Sequence, residues 1–90
     1  MTVVHCKRAP YTHYIGRPSI FGNPFPVDVY GRDAAIAKFD ESARQNEPLL
    51  KAISALPEDA VLGCWCHNVP CHGHVIIRLW QELREGAKDA

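Results

Sequence analysis

The groups able to do chemistry in this chain are crowded into one stretch. Leu62–Ile77, reading LGCWCHNVPCHGHVII, holds three of the four cysteines and three of the five histidines. On an extended strand, side chains two apart share a face, so Cys64 and Cys66 point together while Trp65 points away. Cys71 and His72 follow a turn at Pro70 and stand at the start of a helix. Three thiolates and one imidazole are the usual donors of a tetrahedral zinc site. The expected metal ligands are therefore Cys64, Cys66, Cys71 and His72, with His74 or His67 as substitutes.

Two other readings of the same residues stand beside that one. A thiol at a helix N-terminus, next to an imidazole, is lowered in pKa and becomes a nucleophile, which makes Cys71 and His72 the candidate catalytic pair. No third group that would orient the imidazole can be picked out from the spacing. Alternatively, Cys64 and Cys66 are small core residues, because free cysteine is among the most buried residue types. Cys6, on the first strand, reads as core and not as a ligand.

A second stretch, YIGRPSIFGNPF over Tyr14–Phe25, offers binding groups. Gly16 and Gly22 permit close backbone approach, Arg17 carries a planar fork that matches an anion, and Asn23 can both donate and accept. Arg17, Asn23 and His72 are thus the candidate ligand-binding residues. The stretch lacks the G-K-[ST] ending of a phosphate-binding P-loop. Its aromatic residues, Tyr14, Phe21 and Phe25, read more simply as packing over a sheet edge.

The elements that must position these groups follow from punctuation and periodicity. Residues 1–10 form a first strand region, with the β-branched run Thr2–Cys6 expected as a buried strand. Residues 11–32 form a long loop, within the segment 7–32 that holds four of the seven prolines, in which Tyr14 and Ile15 add a brief strand. Two helices are expected over 33–57: one N-capped by Asp33 with Ile36, Phe39 and Ala43 inward, and one starting at Pro48 with Leu49, Ile53 and Leu56 inward. Residues 60–66 read as a second core strand. Residues 71–85 read as a terminal helix with Val75, Ile76, Leu79, Trp80 and Leu83 on one stripe, ended by Gly86. Strands separated by helices predict a small single-domain α/β fold over 1–90, its sheet mainly parallel and flanked by helices. Ligands of such sheets gather beyond the C-terminal strand ends, where both motif loops begin.

Composition bounds what the site serves. Apolar content is 47%, the charged share 22%, and ten basic residues balance ten acidic ones. A neutral chain lacks the cationic excess of a strong nucleic-acid binder. No stretch is apolar enough to span a bilayer and no signal-like segment opens the chain, so a cytoplasmic protein with reduced thiols is expected.

The two motif stretches together resemble a family of small phage and bacterial proteins, domain of unknown function 4326. Its pattern is Y-I-G-R-P-S, then G-N-P-F, a helical middle with a P-x-L-L-like step, C-W-C, a proline, and C-H-G-D before a terminal helix. The corresponding residues are Tyr14–Ser19, Gly22–Phe25, Pro48–Leu50, Cys64–Cys66, Pro70 and Cys71–Gly73, within residues 11–83. His74 stands where the pattern has Asp, and Cys6 lies outside it. The resemblance implies a phage or bacterial origin, in the host cytoplasm if phage-encoded, and a shared site, but no particular activity. Two functions are therefore expected as alternatives. One is a binding module whose Arg17 loop takes an anion, a nucleotide or a host protein. The other is an enzyme acting on a nucleotide-like or phosphorylated small molecule through Cys71 and His72 or a metal-bound water.

Overall fold

The computed structural model describes residues 1–65 and 71–89. Strand β1 covers Thr2–His5, β2 His13–Tyr14 and β3 Val61–Cys64; helix α1 covers Val27–Tyr30, α2 Arg32–Ala43, α3 Glu47–Ser54 and α4 His72–Asp89. The three strands form one sheet in the order β1-β3-β2, and both pairings are parallel. The α/β class with a parallel sheet matches the sequence-based expectation.

The central strand is the most apolar one because both of its edges are bonded and one face is roofed by helices. Leu62 and Cys64 lie on that roofed face, in a core with Ile15, Phe39, Ile53, Val75 and Ile76. In register with Leu62, Val3 lies on the same face, and its methyl groups and those of Ile15 press against Gly73 of α4. A Cβ at Gly73 would sit 2.8 Å from both, so only glycine lets α4 approach the sheet this closely.

The other face is crossed by the connection from β1 to β2, which must pass over β3 to reach its far side. Tyr11 of this connection lies on Gly63, where a Cβ would stand 2.5 Å from the ring. The strand is then held from both edges: Cys6 N–H donates to Cys64 O at 2.8 Å, and Ile15 N–H to Gly63 O at 2.9 Å.

Several boundaries depart from the sequence reading. Strand β1 ends at His5 and is half-buried, because it is an edge strand bonded only to β3. The expected 11–32 loop contains β2 and the short α1. Helix α2 begins at Arg32, with Gly31 at φ 80° as its N-cap instead of Asp33. Helix α3 begins at Glu47, where the Asn46 side chain accepts a hydrogen bond from Leu49 N–H at 3.3 Å. Gly86 does not end α4, which runs on to Asp89. Among the described residues, no helix is long and apolar enough to cross a membrane.

Candidate metal centre and adjoining cavity

Parallel pairing sends the ends of β2 and β3 to the same edge of the sheet, and α4 starts directly behind that edge. Cys64 closes β3, Cys71 immediately precedes α4, and His72 is its first residue. Their side chains are buried, at 3%, 2% and 8% exposure. One ligand atom from each lies within 4.8 Å of the others, so this Cys/Cys/His group can hold a metal ion.

The geometry assigns the protons around His72. Its Nε2 is 2.9 Å from the carbonyl oxygen of Ile15, which can only accept, so Nε2 carries the hydrogen and donates it. In the neutral ring this leaves the lone pair on Nδ1, 3.6 Å from Cys71 Sγ. The edge of Phe39 packs on the imidazole at 5.0 Å between centroids and fixes the ring plane. An imidazole oriented by a carbonyl on its far nitrogen is the usual arrangement of a metal-bound histidine.

The thiols are equally constrained. Cys64 Sγ and Cys71 Sγ are 2.9 Å apart. Two thiolates on a tetrahedral zinc, each about 2.3 Å from the ion, lie about 3.8 Å apart. Seating an ion thus asks the sulfurs to separate by roughly 1 Å. Gly73 N–H, in the first turn of α4, points at Cys71 Sγ from 3.4 Å and favours negative charge there.

The remaining predicted residues divide. Cys66 and His67 lie outside the described residues. His74 is exposed, and its Nδ1 lies 3.3 Å from both the N and the O of Cys71, beside the cluster and outside it. Cys6 is a half-buried free thiol outside the cluster. Asn23 uses its amide locally: Nδ2 donates to Ala35 O at 3.1 Å, and Oδ1 accepts from Phe25 N–H at 2.9 Å. Its side chain thus pins the motif loop to α2.

Above the cluster is a cavity of about 300 Å³ whose walls include Arg17, Asp28, Trp65, Cys64, Cys71 and His72. Arg17 is exposed, and among the described residues its guanidinium makes no hydrogen bond or ion pair. A larger groove of about 600 Å³ runs between α2 and α3 past Lys38, Glu41 and Glu47, but it opens broadly to solvent and contains none of the thiols or imidazoles.

Two participants escaped sequence reasoning. Ile15 contributes only its carbonyl, a group every residue possesses, so no residue type could announce it. Asp28 supplies a carboxylate from α1, far from the cysteine segment in sequence; only the fold brings it to the cavity.

A parallel sheet with a Cys/His cluster and a cavity at one edge defines a small α/β domain with a single chemical focus among the described residues. The chain belongs to the family described as domain of unknown function (DUF4326), which matches residues 4–82. The match starts before Tyr11, so Cys6 falls within the family region even though the motif pattern begins later. No match is found among curated proteins or among solved structures.

Proposed function

We propose that the protein is a small metal-centred binding module. Cys64, Cys71 and His72, with Cys66 as the fourth donor, hold a zinc ion that ties β3 to α4. The adjoining cavity takes a small molecule by an anionic group gripped by Arg17. The observation that carries this reading is the convergence of two buried thiols and an imidazole Nδ1 whose other nitrogen is already committed to Ile15 O. Soft sulfur donors with one imidazole favour zinc over magnesium or calcium. A guanidinium at a cavity wall that has no hydrogen bond or ion pair among the described residues supports the anion.

The test is elemental analysis of protein purified without chelators, followed by cobalt substitution. One ion per chain, with sulfur-to-cobalt charge transfer that is lost in Cys71→Ser, is the expected result. Metal-free protein that also fails to take up cobalt would overturn it.

One observation favours a second reading. Cys71 Sγ faces both Nδ1 of His72 and a backbone N–H, the surroundings of a nucleophilic thiol. In that enzyme His72 Nδ1 takes the thiol proton, and Ile15 O is the orienting group absent from the sequence reading. Rapid alkylation of a single thiol in metal-free native protein, abolished in Cys71→Ser, would select this reading over the metal centre.

A further inference from the structure

Trp65 is held in place without being buried. It is 56% exposed, although a free-standing indole exposes costly apolar surface. Its Nε1–H donates to Tyr14 Oη at 2.7 Å. The ring of His5 meets it edge-on at 5.9 Å, and Lys7 Nζ stands 5.5 Å from its centroid. Three residues from two segments therefore fix the orientation of a side chain that the core does not use.

The same indole forms a wall of the cavity that Arg17 and Asp28 share. Tyr14 couples these walls: its hydroxyl accepts from Trp65 and donates to the carbonyl of Arg17 at 3.4 Å. Arg32 lines the cavity as well, which thus presents an aromatic plane, two guanidinium side chains and a carboxylate. A flat ring that stacks on an immobilised indole loses little further side-chain entropy on binding.

We infer that the ligand of this cavity is a nucleoside monophosphate: the base stacks on Trp65, the phosphate is forked by Arg17, and Asp28 accepts from a sugar hydroxyl or a base amine. This deepens the anion-binding reading and rests on it. The volume of about 300 Å³ lies at the small end of ligand pockets and suits one nucleotide.

The test titrates the metal-loaded full chain with AMP, adenosine, orthophosphate and benzoate, by calorimetry and by NMR of the two tryptophan indole N–H signals. AMP is expected to bind most tightly and to shift the Trp65 signal while the Trp80 signal stays in place. Trp65→Ala should weaken AMP about ten-fold or more, the effect of losing one aromatic–base stack, and leave orthophosphate unaffected. Arg17→Lys should weaken both. Tyr14→Phe removes the hydrogen bond that holds the indole but keeps the ring, and should give an intermediate loss for AMP.

AMP binding no tighter than orthophosphate, or unchanged in Trp65→Ala, would overturn the nucleotide assignment and leave the anion-binding module standing. Benzoate competing as well as AMP would overturn the phosphate part. Metal-loaded protein that binds none of the four probes would reject the anion cavity itself, and with it this inference, while retaining the metal centre.

Discussion

His72 is the residue whose surroundings say most about the chemistry. Its Nε2–H is committed to Ile15 O, which leaves Nδ1 as a ligand or base beside Cys71. Metal binding requires deprotonated thiols and a neutral imidazole, so loading releases protons and affinity falls as pH falls. Competition titrations with a zinc chelator should show weaker binding at about pH 6 than at about pH 8, with protons released on loading. Affinity that does not vary with pH would contradict thiolate ligation. Arg17 calls for the opposite kind of substitution. Arg17→Lys keeps the charge but loses the fork, so orthophosphate binding should weaken while the melting temperature stays at the parent value. Cys64→Ala should instead lower the melting temperature, because it opens the core and removes a donor together. A melting temperature that falls as far in Arg17→Lys as in Cys64→Ala would make Arg17 a structural residue.

At the scale of elements, two glycines and an asparagine carry the contacts that set the site. Gly63→Ala drives a methyl group into the Tyr11 ring, an overpacking that typically costs about 1–3 kcal/mol. Denaturant melts should show that loss, and Tyr11→Ala should relieve part of it; additive effects of the two substitutions would mean they do not touch. Asn23→Ala frees the Ala35 carbonyl and the Phe25 N–H together and should cost about 1–3 kcal/mol by the same measurement. These elements were legible in the sequence to unequal degrees. The α4 stripe of Val75, Ile76, Leu79 and Trp80 was plain, because a helix against a core must repeat its apolar residues at helical spacing, and all four are buried. Helix α1 was not, since one turn has no period to display. Gly86 has the residue type of a C-cap without the role: a Cβ there would meet nothing within 4 Å, and the helix passes through it. The Cys64–Cys71–His72 grouping was legible because sequence neighbours build it, whereas Asp28 and Ile15 O arrive through tertiary structure.

The molecule as a whole is a thin assembly, one short sheet under one helical layer, with a radius of gyration of 12.7 Å. A core of this size leaves little margin, so an ion that binds only the folded state matters to stability. Free zinc at about 100 times its dissociation constant should add about 2.7 kcal/mol to unfolding, read as a shift in denaturant midpoint that EDTA reverses. An unchanged midpoint on chelation would argue that no ion resides there. The surface ion pairs contribute differently. Arg44 bridges Glu82 at 2.9 Å and Asp40 at 2.8 Å, and its guanidinium is raised in pKa first by the Glu82 hydrogen bond and then by Asp40. Arg44 and Glu82 are substantially exposed and Asp40 is half-buried, so Arg44→Ala should have little effect on melting in high salt.

The strand order has a consequence in time. Thr2 pairs with Val61 and His5 with Cys64, so β1 stays unpaired during synthesis until residues 61–64 have been made. β2 waits equally, since its partners are Leu62 and Gly63. The helices between them can form earlier from local contacts, but they have no sheet to rest on until β3 arrives. The last strand inserts between two that are already present, and residue 64 brings in the first thiol of the cluster as it does so. The sheet is therefore completed before the site, which still waits for Cys71 and His72, and a chain halted before β3 has neither.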